Sequence, residues 1–150
     1  MVCLGNICRS PLAEGIMQNK INKQKLNWTV DSAGTGNWHA GELPHHRSIK
    51  VAADNGLDIT NQRARQITKS DIDKFDLILV MDDNNAEDVL TLCKNDAQRN
   101  KVHLIKQFAG EQDNDVNIPD PYFDNRFEYV YNLLDATCNS VLISLLKNKN

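Results

Sequence analysis

The chain has 150 residues, of which 41% are hydrophobic and 25% charged, and its 17 basic and 20 acidic residues give a net charge of −3. This length and composition predict a single globular domain over residues 1–150. The acidic balance argues against a general nucleic-acid-binding protein, which needs a basic excess to contact phosphates. The sequence contains no secretory signal and no apolar run long enough to span a bilayer, so we expect a cytoplasmic protein that makes no membrane contact.

Four cysteines stand far apart in the chain, at positions 3, 8, 93 and 138. In a reducing compartment such a scattered set consists of free thiols and not of a disulfide framework. Cys3 and Cys8 are too far apart for the CxxC knuckle of a zinc site, and His45-His46 does not have the spacing of a metal-ligand pair. We therefore expect neither a metal nor another cofactor.

Apolar patterns and cap residues predict that strands and helices alternate along the chain. The predicted strands cover residues 1–3, 28–30, 75–81 and 102–105. The predicted helices cover residues 10–23, 45–55, 70–74, 84–94 and 126–147, and a long polar loop covers residues 106–124. Ser10 is predicted as the N-cap of the first helix with Pro11 in its first turn, and Gly56 is predicted to end the second helix at positive φ.

The alternation of elements favours an α/β fold in which helices cover both faces of a four-stranded parallel sheet. The segment FDLILVM at 75–81 is nearly all apolar, which is typical of a strand buried on both faces. In such sheets ligands bind beyond the carboxyl ends of the strands. The segments that leave those ends are residues 3–9, residues 32–38, residues 82–85 and the loop that carries Asp120.

The stretch CLGNICR at the amino end connects a strand to a helix. Gly5 and Asn6 tolerate left-handed backbone angles, and successive N–H groups in such a loop form a nest for anions. The N-terminus of the following helix adds partial positive charge, and Arg9 can donate two parallel hydrogen bonds to phosphate oxygens. The loop is therefore predicted to bind a tetrahedral dianion such as phosphate.

The same surroundings act on Cys3, because a helix N-terminus and a nearby arginine favour the thiolate form of a cysteine. Ser10 can donate its hydroxyl to that thiolate. We therefore predict a nucleophile at the floor of the phosphate pocket. The alternative is a buried structural cysteine, since a lone C-x5-R match has low specificity.

Asp120, in the stretch IPDPYF, is a candidate general acid. Departure of a phenolate requires a proton, and the prolines at 119 and 121 hold the loop extended around the carboxyl group. The alternative is that Asp120 is a solvated residue in a loop that is acidic throughout. The other acidic residues nearby are Glu111, Asp113, Asp115 and Asp124.

The motifs CLGNICRSPLAE, VDSAGT, ARQIT, DLILVMD and DPYF, in this order, resemble the low-molecular-weight protein tyrosine phosphatases over essentially the whole chain. The resemblance implies the strand order 2-1-3-4 and a two-step reaction without metal. Cys3 would attack phosphorus to form a phosphocysteine, and Arg9 would bind the equatorial oxygens. Asp120 would protonate the phenol and then activate water to hydrolyse the intermediate.

The resemblance also implies roles for further residues of this sequence. Asn6 and Ser10 resemble the residues that hold the loop and the thiolate, and Ser32 resembles the partner of Asn6. Cys8 resembles the neighbouring thiol that can form a protective disulfide with Cys3. The other loop positions implied to contact the substrate are Leu4, Gly5 and Ile7.

Aromatic and acidic residues outside the loop complete the implied site. Trp38 and Tyr122 resemble the walls that enclose a phosphotyrosine ring, although packing on its own loop is an alternative for Trp38. Asp82 follows a strand and is interpreted as a carboxylate that supports the site from outside the substrate pocket. Phe123 departs from the family, which often has a second tyrosine there.

The amino end also departs from the family, whose members have a full strand before the cysteine. Here only Met1 and Val2 precede Cys3. In a 2-1-3-4 sheet this strand is internal, so shortening it would expose its neighbours. We therefore expect a truncated first strand and a numbering that begins at an internal methionine.

Three other functions compete with a tyrosine phosphatase. A thiol-coupled arsenate reductase of the same fold needs further cysteines to relay a disulfide, and only Cys93 lies in a suitable region. A protein-arginine phosphatase of this fold would carry threonine in place of Ile7. The third is a non-catalytic phosphate-binding module. The expected partners are a tyrosine-phosphorylated protein, such as a bacterial tyrosine kinase, and phosphate or other tetrahedral anions, bound by a monomer.

Overall fold

The computed structural model describes residues 1–110 and 114–149 of the chain. Its strands are β1 (Val2–Cys3), β2 (Ala33–Gly34), β3 (Ile78–Val80) and β4 (Val102–Leu104). The α-helices are α1 (Arg9–Lys23), α2 (His46–Asp54), α3 (Lys69–Lys74), α4 (Asp83–Leu90), α5 (Asp96–Arg99), α6 (Pro121–Asp124) and α7 (Phe127–Lys147), and a 3-10 helix covers Ile105–Ala109. No helix within these described ranges is both long enough and apolar enough to cross a membrane.

The strands form a parallel sheet in the order β2-β1-β3-β4, which confirms the expected 2-1-3-4 arrangement. Val2 pairs with Ala33 on one side and with Val80 on the other, so β1 is an internal strand. Ile78 pairs with Val102 at the other edge of the sheet. Since all strands run the same way, their carboxyl ends lie along one edge, and the loops that follow them meet there.

Side chains that alternate along the strands fill two separate apolar clusters, one on each face of the sheet. Cys3, Leu79 and Met81 belong to the cluster that contains residues of α1, α2 and α7. Val2 and Val80 belong to the other cluster, which contains residues of α3 and α4. Helices therefore cover both faces, as the alternation of elements predicts.

The predicted strand at 28–30 is wrong, because β2 forms later, at Ala33–Gly34. The apolar and β-branched character of this segment suggests a strand, but pairing decides where a strand forms. Val2 pairs with Ala33 and Cys3 pairs with Gly34, and this register sets β2 at those two residues. Trp28 and Val30 instead pack against the cluster that includes α1 and α7.

Several helices and strands begin or end at residues other than the predicted ones, because helix caps and strand pairing set the observed ends. Helix α1 begins at Arg9 with Cys8 as its N-cap, so Ser10 is not the cap. The helix predicted at 84–94 ends at Leu90, and the short α5 follows, capped by the Asn95 side chain. The strand predicted at 75–81 is reduced to Ile78–Val80.

The predicted polar loop 106–124 contains two short helical segments, the 3-10 helix and α6. Residues 111–113 of this loop, which include the acidic Glu111 and Asp113, lie outside the described residues. The prediction for Gly56 is confirmed, because it follows the C-cap Asn55 with φ of +78°.

Helix α7 buries an apolar stripe that supplies much of the core on one face of the sheet. Leu134 is fully buried in this stripe, whereas Ile143 on the same helix is 46% exposed. We expect Leu134→Ala to lower the free energy of unfolding by about 2–5 kcal/mol, because it removes apolar contacts and leaves a cavity. Ile143→Ala is the matched control and should cost far less. Urea denaturation measures both, and equal losses for the two variants would contradict the assigned core.

Candidate active site

The loop between β1 and α1 turns its carbonyl oxygens outward. The carbonyls of Cys3, Leu4 and Ile7 accept hydrogen bonds from backbone N–H groups of neighbouring loops, at 2.9, 2.9 and 2.7 Å respectively. The N–H groups of residues 5–8 donate no hydrogen bond to any described residue. Because backbone N–H groups require partners, this loop offers a set of unpaired donors suited to an anion.

Asn6 gives the loop its curvature. It adopts the left-handed conformation with φ of +56°, as the sequence predicts. Gly5, which also tolerates left-handed angles, does not have positive φ. A larger residue at position 5 would be crowded, because a Cβ atom there would lie 3.0 Å from the ring of His39.

A chain of hydrogen bonds leads from the Cys3 sulfur into the protein. The Sγ atom of Cys3 lies 3.0 Å from the Ser10 hydroxyl, and the side-chain amide of Asn6 donates to that hydroxyl at 2.8 Å. The same amide group donates to the Ser32 hydroxyl at 3.0 Å. The structure thus brings together the four residues that the sequence places in this support. Asn6 occupies one acceptor site of the Ser10 hydroxyl, whose proton can point at the Cys3 sulfur at 3.0 Å or at the more distant Ala33 carbonyl at 3.4 Å.

Glu14 extends this chain by one further residue. The Ser32 hydroxyl donates to its carboxylate at 2.5 Å, and burial raises the pKa of Glu14 above the ordinary value. The carbonyl oxygen of the Asn6 side-chain amide is also fixed, because it accepts from the backbone N–H of Arg65 at 3.0 Å. Each polar atom of the Asn6 side chain therefore has a defined partner.

Arg9 is a buried cation at one side of the pocket, with only 2% of its surface exposed. One terminal nitrogen donates to Asp82 at 2.6 Å and to the Ile118 carbonyl at 3.0 Å. The other terminal nitrogen donates to Asp120 at 3.3 Å. Burial opposes its charge, but the Cys3 sulfur and the carboxylates of Asp120 and Asp82 raise the pKa of Arg9, so it stays charged.

Asp82 and Asp120 are both fixed by a second contact. Asp82 caps α4 by accepting from the N–H of Asn85 at 2.8 Å, and Asp120 caps α6 by accepting from the N–H of Tyr122 at 3.1 Å. Each carboxylate uses its other oxygen for Arg9. The two helix caps therefore hold the carboxylates at the guanidinium group.

A pocket of about 190 Å³ opens above the loop. Cys3, Arg9 and Asp120 all line it, and the exposed rings of Trp38 and Tyr122 stand at its mouth. The remaining lining residues are Leu4, Gly5, Ile7, Cys8, His39 and Phe123. A tetrahedral anion with an aromatic substituent fits this combination of a donor-rich floor and aromatic walls.

The position of Trp38 depends on Gly36. A Cβ atom at Gly36 would lie 2.0 Å from the indole ring, so only glycine permits this packing. Trp38 therefore does pack on its own loop, which was the alternative interpretation, and it lines the pocket at the same time.

Cys8 lies in the loop but differs chemically from its neighbour. Burial, together with the nearby Asp120 and Cys3, raises the pKa of the Cys8 thiol to about 12. Cys8 therefore stays a protonated thiol at neutral pH. The described residues, which include all four cysteines, contain no disulfide.

A larger groove of about 450 Å³ lies at the opposite end of the sheet, next to Trp28 and Val141. Neither Cys3, Arg9 nor Asp120 lines it. The larger cavity is therefore not the candidate active site, because the candidate catalytic residues line the smaller pocket. The described residues contain no group of three or more His, Cys, Asp or Glu side chains arranged to hold a metal ion.

The whole chain, residues 1–150, matches the family model described as low molecular weight phosphotyrosine protein phosphatase. The chain belongs to the low molecular weight protein-tyrosine-phosphatase family. It is 37% identical to the low molecular weight protein-tyrosine-phosphatase YfkJ of Bacillus subtilis (strain 168), over 99% of this chain and 95% of that protein. It is 39% identical to the putative low molecular weight protein-tyrosine-phosphatase slr0328 of Synechocystis, over 97% and 94% of the two chains.

Solved structures give the same assignment for this phosphatase. The crystal structure of YfkJ superposes with a TM-score of 0.93 at 35% identity, covering 99% of this chain and 94% of that one. The protein tyrosine phosphatase from Entamoeba histolytica, crystallised with Hepes in its active site, superposes with a TM-score of 0.90 at 33% identity, covering 99% and 96%. The resemblance stated from the motifs is thereby confirmed.

Two residues of the phosphatase site escape sequence reasoning. Glu14 lies one turn into α1, in a position that looks like an ordinary solvated helix residue. His39 lines the pocket and pairs with Glu42 at 2.7 Å, but it stands in a loop without pattern. A signal for Glu14 exists, because positions 10 and 14 are one helical turn apart and so share a face.

The raised pKa of Glu14 predicts a pH dependence of stability. Its carboxyl group releases its proton at lower pH in the unfolded chain than in the folded one, so the folded state binds more protons between the two pKa values. The contribution of Glu14 to stability therefore falls as pH rises through this window, which begins near pH 4.3.

Glu14→Gln removes this titration. The free energy of unfolding of the wild type minus that of the variant should decrease between about pH 4 and pH 7, as measured by urea denaturation. Glu87→Gln, at an exposed carboxylate with no ion pair to any described residue, is the control and should run parallel to the wild type in this test. A difference for Glu14→Gln that is constant with pH would contradict the buried carboxyl group.

Proposed function

We propose that the chain hydrolyses phosphotyrosine in proteins, and small aryl phosphates, through a phosphocysteine intermediate. The observation that carries this proposal is the convergence of a sulfur, unpaired amides, a buried arginine and a carboxylate on one pocket. The family's named activity agrees with it. The following steps assign the roles of individual residues.

In the first step the phosphate binds the unpaired N–H groups of residues 5–8 and the Arg9 guanidinium. The Cys3 thiolate attacks phosphorus, an S–P bond forms and the bond from phosphorus to the phenol oxygen breaks. Asp120 gives its proton to the departing oxygen. The arriving dianion competes with Asp120 for the Arg9 guanidinium.

In the second step a water molecule attacks the phosphocysteine. Asp120, now a carboxylate, accepts a proton from the water, and the S–P bond breaks to release phosphate and the thiolate. The Ser10 hydroxyl lies 3.0 Å from the sulfur and stabilises the thiolate as it leaves. Arg9 and the loop amides stabilise the charge on the equatorial oxygens in both steps.

The aromatic rings at the mouth favour an aryl phosphate over an alkyl phosphate. Trp38 and Tyr122 line the pocket from two separate segments of the chain, and a phosphotyrosine ring would stack against them. The site is built from one chain, which supports action as a monomer on a phosphoprotein, for which a bacterial tyrosine kinase is a candidate. The four free thiols support action in the reducing cytoplasm.

The structure gives little support to the competing functions. An arsenate reductase would pass a disulfide from Cys3 to a second thiol, but Cys93 is buried in the cluster on the other face of the sheet. The apolar Ile7 in the pocket wall does not supply the hydroxyl expected of an arginine phosphatase.

Cys8 is proposed as a guard against irreversible oxidation. A peroxide would oxidise the Cys3 thiolate to a sulfenic acid, and the Cys8 sulfur would then displace water to form a disulfide. Because the pKa of Cys8 is about 12, little thiolate is present, so we expect this second step to be slow at neutral pH.

Replacement of the nucleophile tests the proposal directly. Cys3→Ser should lower the turnover of p-nitrophenyl phosphate by about 10³-fold or more, because a hydroxyl is not ionised under the same conditions. Cys93→Ser removes a distant thiol, keeps a hydrogen-bond donor and should retain the wild-type rate. Full activity in Cys3→Ser would rule out the phosphocysteine.

Replacement of the acid tests the proton transfer. Asp120→Ala should slow the hydrolysis of phosphotyrosine by about 10²–10⁴-fold. It should slow p-nitrophenyl phosphate much less, since nitrophenolate departs without a proton. Asp124→Asn, in the same loop, is the control and should change neither rate. Equal slowing of the two substrates by Asp120→Ala would exclude Asp120 as the acid.

A further inference from the structure

A second groove lies directly beside the phosphate pocket. It has a volume of about 330 Å³ and shares two wall residues, Leu4 and Trp38, with that pocket. Ile67 and Leu92 add apolar surface to it. A ligand in the phosphate pocket that contacts Trp38 therefore lies next to this second groove.

The groove contains one charged residue, Asp88, and no cation lines it among the described residues. Asp88 is exposed near the end of α4 and makes no ion pair with any described residue. The other carboxylates around the site differ, because Asp82 and Asp120 are both bound to Arg9. The negative charge of Asp88 is therefore unneutralised in a groove whose other lining residues are apolar or uncharged polar.

We propose that this groove binds a lysine or arginine side chain of the substrate protein, close in sequence to the phosphotyrosine. This inference rests on the proposed function and specifies the class of substrate. It names a subsite of the phosphatase that selects a basic residue, separate from the groups that bind phosphate.

The chemistry of the groove matches a long basic side chain in two respects. Its aliphatic stem can lie on Leu4 and Leu92 while its charged end reaches the Asp88 carboxylate. The exposed indole ring of Trp38 also attracts a cation at its face. An acidic side chain in the same place would face an unscreened like charge, so the groove discriminates against it.

The geometry also limits where the basic residue stands in the substrate. The phosphotyrosine ring lies against one side of Trp38, and the groove lies beyond the wall formed by Trp38 and Leu4. A side chain that crosses this wall belongs to a residue within about two positions of the phosphotyrosine, because one extended residue spans about 3.3–3.6 Å.

The test uses a series of phosphotyrosine peptides in which one position at a time, from two before to two after the phosphotyrosine, is lysine, alanine or glutamate. For the wild type we expect kcat/KM to be about 3- to 5-fold higher with lysine than with alanine at one of these positions, and lower with glutamate. The preference should weaken as salt is raised, because part of it comes from an exposed ion pair. Equal kcat/KM for lysine and glutamate at every position would overturn the proposal.

Three variants identify the residue responsible. Asp88→Asn should reduce the ratio of the lysine to the glutamate rate towards one, and Asp88→Lys should reverse the preference. Glu87→Gln removes a neighbouring exposed carboxylate that does not line the groove, and it should keep the wild-type ratio. A lysine preference that persists in Asp88→Lys would overturn the assignment to this groove.

p-Nitrophenyl phosphate, which has no flanking residues, separates two kinds of failure. If the wild type hydrolyses p-nitrophenyl phosphate, and hydrolyses the peptides at rates that do not depend on the charge beside the phosphotyrosine, only the inference about the groove is wrong. If the wild type hydrolyses neither, the proposed function fails and the inference fails with it.

Discussion

The orientation of one loop is the constraint on which the remainder of the site depends. Between β1 and α1 the carbonyl groups point outward to neighbouring segments, and the amides of residues 5–8 have no hydrogen-bond acceptor within the described part of the chain. Asn6 makes this possible, since its left-handed backbone turns the loop while its side-chain amide is held on Ser10 and Ser32. The Asn6 backbone thus directs the loop N–H groups towards the anion, and the Asn6 side chain positions the Ser10 hydroxyl at the Cys3 sulfur.

Charge neutralisation within the protein explains how a buried cation can be kept beside the pocket. Arg9 is buried, and the cost of its desolvation is offset by the carboxylates of Asp82 and Asp120 and by the Ile118 carbonyl. The two carboxylates are not equivalent, because Asp82 lies at 2.6 Å and Asp120 at 3.3 Å. The closer one keeps the guanidinium in place, and the looser one is the partner that a phosphoryl group can displace.

The two cavities that meet at Leu4 and Trp38 divide recognition into two parts. The inner pocket is rich in donors and recognises charge and tetrahedral shape, which all phosphate esters share. The outer groove combines apolar surface with a lone carboxylate, which distinguishes one peptide from another. Such a division allows the reacting groups to remain fixed while substrate preference changes through residues such as Asp88, which make no contact with Cys3, Arg9 or Asp120.

The sequence by itself determined the alternation of elements, the two-sided burial of β3, the anion loop and the pairing of Cys3 and Arg9 within it, because these depend on local pattern and on residues that are neighbours in the chain. Only the tertiary structure decided the place of β2, the link from Ser32 to Glu14, and the meeting of Arg9 with Asp82 and Asp120. A strand forms where a partner offers hydrogen bonds, and distant carboxylates meet where parallel strands end side by side. Strand pairing and the meeting of these carboxylates both depend on contacts between residues far apart in the chain, which local sequence propensity does not determine.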